Sequence, residues 1–302
     1  MKKLTIGTRG SDLALWQANF IKRHIEERLS TPVDIKIIKT QGDKIQHLSF
    51  EKMEGKGFFT KEIEDSLLDG SVDLAVHSLK DLQTTMPPGL ALTAVGFRED
   101  NREAILIRRD SYDSAHSLKI KFGGIIGSSS VRRQSQIAHI RPDLHLKDLR
   151  GNVPTRVNKL RDGLYDGIVI AYAGLKRLEL DLSDIELLIA SRDEFLPAPA
   201  QGILGLQTRS DDAATNELVK QLDDPHARTQ VNLERGLMKR FDGGCQLPLG
   251  AYSEVNGGIM RLKAALGIRD LNKWVALKIA DISGENVQEI VDKAFAELSE
   301  PA

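Results

Sequence analysis

Through the first 171 residues, short apolar runs alternate with amphipathic ones, and this alternation restricts the chain to an α/β architecture. Residues 4–7 read as a strand. Residues 11–29 read as a helix that places Leu13, Trp16, Phe20 and Ile21 near one face at about 3.6 residues per turn. Residues 33–40 alternate like a strand, 61–68 suit a helix, and 73–76 and 90–96 suit strands. A similar set follows: strand 125–127, helix 131–140, a strand near 145–149, helix 155–161 and strand 168–171. Strands joined through helices run parallel, so mainly parallel sheets covered by helices are expected. Two strand-to-helix junctions are alike, Ile6-Gly7-Thr8-Arg9-Gly10-Ser11 and Ile126-Gly127-Ser128-Ser129-Ser130-Val131-Arg132-Arg133. Each joins small hydroxyl residues to arginine, which points to two similarly built domains.

After Leu196-Pro197-Ala198-Pro199-Ala200 the texture changes, since two prolines in three residues mark a connection or hinge. Helices around 212–222 and 227–241 follow, then alternating segments near 251–255, 261–267 and 274–282, and a last helix over 286–298. Strands first and a covering helix later suit a small α+β domain with an antiparallel sheet. The expected division is residues 1–100 plus about 199–222, residues 101–198, and residues 223–302.

A net charge of −1 and 5% aromatic residues exclude a nucleic-acid binder, which shows a basic surplus and stacking aromatics. Arginines at defined points suit a compact anionic ligand instead. The start carries no apolar run long enough for a signal peptide, and the longest smooth one, 168–173, is far short of a membrane span. The reading is a cytoplasmic protein with no membrane partner.

Cys245 is the only cysteine, so no intramolecular disulfide and no multi-thiolate metal site can form. It follows Gly243-Gly244 and precedes Gln246-Leu247-Pro248-Leu249-Gly250, which displays it on a turn at the entrance to the last domain. It reads as a nucleophile for covalent chemistry or as a small buried hydrophobe. Arg132 and Arg133 stand in the first turn of a helix, where they oppose the dipole, so an anion beside them is expected; a solvated basic turn is the alternative. Arg9, Arg150, Arg156 and Arg177 also follow strands, on the side where open α/β sheets bind ligands, although each could be a surface ion pair. Lys80-Asp81 ends the strand Leu74-Ala75-Val76, either as a structural pair or with Asp81 as general acid or stabiliser of positive charge. His77 reads as a satisfied core histidine. The glycine-bearing connection from Gln41 to Phe59 reads as a lid tipped by Lys56, Phe58 and Phe59, or as a lead into the next helix.

Taken in order, several segments resemble the porphobilinogen deaminase (hydroxymethylbilane synthase) family over nearly the whole chain. They are Thr8-Arg9-Gly10-Ser11-Asp12-Leu13-Ala14-Leu15-Trp16-Gln17, Gly55-Lys56-Gly57-Phe58-Phe59, Val76-His77-Ser78-Leu79-Lys80-Asp81, Ser128 to Gln134, Leu149-Arg150-Gly151-Asn152-Val153, Ala173-Gly174-Leu175-Lys176-Arg177, Gln201-Gly202 and Gly243-Gly244-Cys245-Gln246. The resemblance implies two periplasmic-binding-protein-like domains with mainly parallel sheets and a small C-terminal α+β domain carrying the cysteine. It implies a transferase of haem biosynthesis that deaminates porphobilinogen to an azafulvene, adds four such units head-to-tail to a dipyrromethane primer, and releases hydroxymethylbilane by hydrolysis.

By the same resemblance Cys245 holds the dipyrromethane cofactor through a thioether, and Asp81 is the catalytic carboxylate and also contacts the cofactor. Lys80, Ser129, Arg132 and Arg133 hold cofactor carboxylates. Arg9, Ser11, Arg150, Arg156 and Arg177 hold substrate and growing chain, with Lys56 and Phe59 in the lid. A monomer is implied, and no metal or nucleotide. The family usually has glycine at position 200, glutamate at 207 and proline at 83, where this chain has Ala200, Gln207 and Gln83; altered local hinge geometry is the expected consequence. The competing reading, a non-catalytic two-lobed small-anion binder, explains the arginines but leaves Cys245, the Lys80-Asp81 pair and the third domain without a purpose.

Overall fold

The computed structural model describes residues 3–40, 60–244, 246–271 and 273–300. The chain divides into two units, Met1–Glu99 with Gly202–Arg228, and Asp100–Gln201 with Thr229–Ala302.

In the first unit β1 (Leu4–Thr8) leads through α1 (Asp12–Leu29) to β2 (Val33–Ile37). Further along come α2 (Lys61–Leu68), β3 (Leu74–Ser78), a 3₁₀ turn (Leu79–Asp81) and β4 (Leu90–Gly96). The second unit begins with β5 (Glu103–Arg108), β6 (Ile125–Gly127), α3 (Val131–Ile140) and β7 (His145–Lys147). It continues with α4 (Val153–Arg161), β8 (Gly167–Ala171), α5 (Tyr172–Leu178) and β9 (Ile185–Ile189). The chain then returns to the first unit as β10 (Leu204–Arg209) and α6 (Ala213–Lys220). α7 (Pro225–Arg240) carries it back to β11 (Leu249–Asn256), β12 (Ile259–Asp270), β13 (Lys273–Gly284) and α8 (Val287–Ser299).

The first sheet runs β2-β1-β3-β10-β4 and the second β7-β6-β8-β5-β9. Their plans match: β1 lies parallel to β2 and β3, as β6 does to β7 and β8, and each sheet then takes one antiparallel strand between its third and fourth. That strand is β10 in the first sheet and β5 in the second. Four of the five strands in each sheet run one way, as expected of mainly parallel sheets, and the single antiparallel strand makes each sheet mixed. β5 and β10 are brought in by chain arriving from the other unit rather than by a local helix, so the strand–helix alternation does not contain them. β9 and the short helix α5 were likewise not anticipated.

Helices cover both faces. Ala18, Ile21 and Ile25 of α1 and Val219 of α6 pack on one side of the first sheet with Ile6, Leu74 and Val76. Ile63 and Leu67 of α2 pack on the other with Ala75 and Leu90. Ala75 and Val76 serve opposite faces, as successive strand residues must. The buried stripe of α1 is Gln17, Ala18, Ile21 and Ile25, so of the four expected residues only Ile21 is fully buried. Trp16 and Phe20 are half-buried and stack with ring centroids 5.0 Å apart.

β11–β13 form an antiparallel meander whose core, with Leu233 and Leu237 of α7 and Ile290, Val291 and Ala294 of α8, is separate from the others. It is seated against the second sheet's unit by close backbone approach. A Cβ on Gly267 would lie 2.4 Å from Ser135 Cβ, and one on Gly250 would lie 2.8 Å from Leu196 Cβ.

Of the three departures from the family pattern, Gln83 lies just beyond the 3₁₀ turn, and the other two have defined partners. Ala200 is buried in left-handed backbone (φ 60°), with its N–H donated to Glu234 Oε2 at 2.7 Å; Glu234 Oε1 accepts the N–H and hydroxyl of Ser253. Gln207 is not at the hinge but in β10, between two buried groups. Its Nε2 donates to Glu64 Oε1 (3.1 Å) and its Oε1 faces His77 Nε2 at 2.9 Å. A carboxylate oxygen only accepts, so the amide orientation follows from Glu64, and His77 Nε2 must carry the proton.

Burial pushes the His77 pKa down to about 4, against the opposing influence of Gln207 and Asp81. The folded pKa is thus below the unfolded one, so the stability is complete above the unfolded value of 6.5 and declines as pH falls towards 4. Between pH 7 and 4.5 the first unit should lose stability by an increment of about 2–3 kcal/mol that a His77→Gln variant lacks, read from urea midpoints at the two pH values. Equal pH slopes in the two proteins would refute the buried neutral histidine. At Gly202 (φ 88°) a Cβ would lie 2.3 Å from the Glu99 carbonyl oxygen, whereas at Gly123 (φ 66°) it would meet nothing within 4 Å. Gly202→Ala should therefore cost about 3 kcal/mol or more and Gly123→Ala about 1 kcal/mol, measured as shifts in denaturation midpoint.

Candidate active site

In the first unit the residues singled out from sequence lie on two strand-end turns. Arg9, half-buried, follows β1. Ser11 caps α1 by accepting the Ala14 N–H at 3.4 Å, and Thr8 Oγ1 donates to the Ala14 carbonyl at 3.2 Å, which closes the turn. The second turn is held from two sides. Buried Gln17 of α1 donates through Nε2 to Ser78 Oγ at 2.8 Å, and the Leu79 N–H donates to the Ile203 carbonyl at 3.0 Å. On this pinned 3₁₀ turn Lys80 is half-buried and Asp81 exposed. A carboxylate fixed by its backbone and open to solvent can exchange a proton with a bound molecule or stabilise a cation beside it.

In the second unit three strand ends converge. The serines after β6 are each used locally. Ser128 Oγ accepts the Ser130 N–H at 3.3 Å, and Ser130 caps α3 by accepting the Arg133 N–H at 3.5 Å. Ser129 Oγ accepts the Leu149 N–H (3.0 Å) and donates to the Leu149 carbonyl (3.2 Å). That double contact stitches the turn after β6 to the turn after β7 and so brings half-buried Arg150 beside the start of α3. Gly151 turns the chain (φ 115°) into α4, where Asn152 Oδ1 accepts the Thr155 N–H at 3.0 Å. Arg156 Nε donates to the Gly151 carbonyl at 2.7 Å. Arg177 is buried in the last turn of α5, after β8.

Arg132 and Arg133 are placed otherwise than a solvated basic turn would be. Both are buried, and the anion they were expected to face is supplied from within by Glu103 of β5, which is 0% exposed. Arg132 Nη2 donates to Glu103 Oε1 at 2.6 Å; Arg133 Nε and Nη2 donate to Oε1 (3.2 Å) and Oε2 (2.7 Å). One further nitrogen of each donates to backbone: Arg132 Nη1 to Leu196 O at 2.7 Å and Arg133 Nη1 to Val169 O at 3.0 Å. Burial pushes the Arg132 pKa below its ordinary value, Glu103 opposes this, and the like charge of Arg133 adds to it.

Glu103 and Gln17 were not singled out from sequence. A lone acid opening the apolar run Glu103-Ala104-Ile105-Leu106-Ile107, and a glutamine inside the apolar face of α1, were the available signals. Cys245, Lys56 and Phe59 lie outside the described residues. Among the described residues no group of three or more His, Cys, Asp or Glu could hold a metal ion, and no helix is long and apolar enough to cross a membrane.

The family model for porphobilinogen deaminase, dipyromethane cofactor binding domain, matches residues 4–217, and that for the porphobilinogen deaminase C-terminal domain matches residues 228–299. A porphobilinogen deaminase of Chloroherpeton thalassium is 43% identical over 293 residues, covering 96% of this chain and 90% of the relative. One of Nitratidesulfovibrio vulgaris strain DP4 is 47% identical over 290 residues, 95% of this chain and 86% of the relative. Among solved structures, a periplasmic substrate-binding protein of an ABC transporter from Coxiella burnetii is similar at 15% identity and a TM-score of 0.45, over 77% of this chain and 97% of that one. With both domain models matched in order and relatives above 40% identity along nearly their full length, the chain belongs to the porphobilinogen deaminase family.

Proposed function

We propose that this chain is a transferase that joins four porphobilinogen molecules head-to-tail on a dipyrromethane held by Cys245 and releases hydroxymethylbilane by hydrolysis, in haem biosynthesis. The observation that carries the reading is the match of residues 4–217 to the domain that binds this cofactor. The side chains present suit the group. A dipyrromethane brings an acetate and a propionate on each ring, and the strand-end turns of the two units carry Arg9, Lys80, Arg150 and Arg156 as hydrogen-bonding cations of matching sign. When bound, the group supplies a free pyrrole α-position as the nucleophile to which the first substrate is joined.

The chain's own residues divide the remaining tasks. Asp81, exposed on its pinned turn, handles the proton of the departing amino group and offers a fixed negative charge to the cationic pyrrole. Lys80, Ser129, Arg132 and Arg133 serve the cofactor's carboxylates. Arg9, Ser11, Arg150, Arg156 and Arg177 serve the substrate and the growing chain, and Lys56 and Phe59 belong to the lid. Carboxylates distributed among several cations on separate turns orient each ring, so that the reacting carbon meets Asp81 in one pose. The meander with α7 and α8 acts as a third domain, the one that carries Cys245, in addition to the domains of residues 1–100 with about 199–222 and of residues 101–198. The protein works as a cytoplasmic monomer, without a nucleic-acid partner, in keeping with its net charge of −1.

Purified protein should be heavier than its sequence by one dipyrromethane, and a Cys245→Ser variant should not; intact mass with an Ehrlich-type colour reaction reads both. A parent that gains no adduct even after incubation with porphobilinogen would leave an anion-binding protein. Asp81→Asn should keep the adduct while its turnover falls about 10²-fold or more, measured as hydroxymethylbilane formed per loaded chain. Steady-state rates equal to the parent's would remove Asp81 from the chemistry.

A further inference from the structure

Glu103 opens β5 and is paired in register with Ala171, the last residue of β8. β8 runs parallel to β6, so Glu103 lies at the carboxyl end of these strands, where open α/β sheets hold ligands. A buried carboxylate there is out of place in a site for anions, because it repels what the site must attract. Its contacts explain it. Among Glu103, Arg132 and Arg133, two positive charges share one negative charge, a surplus of one. Both arginines stand in the first turn of α3, beside the cap Ser130 and next to Ser129. Two long side chains are thereby held in one arrangement before any ligand arrives, so their ordering cost is not met on binding.

We infer that Glu103 is a positioning residue for the carboxylate-binding site: it fixes Arg132 and Arg133 so that their uncompensated charge, at the start of α3, takes up an acetate or propionate of a pyrrole. The inference rests on the proposed function. Its claim is that Glu103 itself touches no ligand and acts through the two arginines. A buried ionic cluster adds little stability over apolar packing of the same volume, which leaves room for a ligand-directed role of the charge at this position.

The test compares Glu103→Gln and Glu103→Asp with the parent. Readouts are the fraction of purified chains carrying dipyrromethane by intact mass, uptake of the adduct by cofactor-free protein given porphobilinogen, KM and kcat of the loaded fraction, and thermal midpoints. Glutamine keeps the shape but removes the charge, and its amide N–H₂ faces a guanidinium. Loading should fall about tenfold and KM rise with a smaller change in kcat, while Glu103→Asp recovers most of the loading. Parent-like loading and KM in folded Glu103→Gln would overturn the inference. So would losses in both variants that only track their loss of thermal stability. Should Glu103→Gln fail to fold, Glu103→Asp decides, with partial loading in favour and parent-like loading and KM against. A parent with no adduct would instead refute the proposed function, so the two failures are distinguishable.

Discussion

The carboxylate of Glu103 joins four pieces of chain that are far apart in sequence. It sits at the start of the inserted strand β5 and accepts from both arginines in the first turn of α3. Through them it reaches the carbonyl of Val169 in β8 and that of Leu196. The Leu196 peptide is clamped a second time by Gln136, whose Oε1 accepts its N–H at 2.7 Å and whose Nε2 donates to its carbonyl at 3.0 Å. One residue on, the Pro197 carbonyl accepts the N–H of Ala251 in β11 at 2.9 Å. The carboxyl end of the second sheet's parallel strands and the seat of the third sheet are thus fixed by one chain of buried polar contacts. Removing its single anion would strand two buried cations, a loss of several kcal/mol.

A second buried carboxylate makes an unusual backbone tolerable. Ala200 holds a left-handed conformation that costs a residue with a Cβ about 1–2 kcal/mol. Glu234 accepts its N–H, and a hydrogen bond to a charged group contributes about 1.5–3 kcal/mol, enough to offset the strain. Glycine would reach the same φ without strain but with more freedom to leave it. With alanine the backbone here has fewer alternatives, and Glu234 ties the one it adopts to Ser253 in β11.

Much of the fold is legible where a local pattern decides it. Residues 61–68, 90–96, 125–127 and 131–140 are read to the residue, because each is a periodic run with its own end signals. β5 and β10 escape because each pairs with strands distant in sequence and neither is preceded by a helix that would announce it. On α1 the aromatic residues dominate the apolar pattern, yet the buried stripe begins at Gln17, whose amide bonds Ser78. The strand-end arginines and Lys80-Asp81 are visible because turns after strands can be located from pattern alone. That Arg132 and Arg133 need an anion follows from the helix dipole; that the anion is Glu103, about thirty residues earlier, requires the sheet order.

The same division between turns and sheet governs where charge is allowed. Beneath the exposed Asp81, the end of β3 carries His77, whose cation would add to the positive charge of Lys80 and Arg9. Burial prevents this, and Gln207 satisfies the neutral ring, since an amide can accept from the histidine on one side and donate to Glu64 on the other. A glutamate at position 207 would set two carboxylates against each other across one buried contact, and one of them would have to hold a proton. With glutamine the interior of the first sheet keeps a neutral histidine at the working pH of most enzymes. Positive charge at these strand ends of the first unit then comes from Arg9 and Lys80, half-buried on their turns. Asp81 consequently faces a field set by strand-end side chains and not by the sheet that supports them.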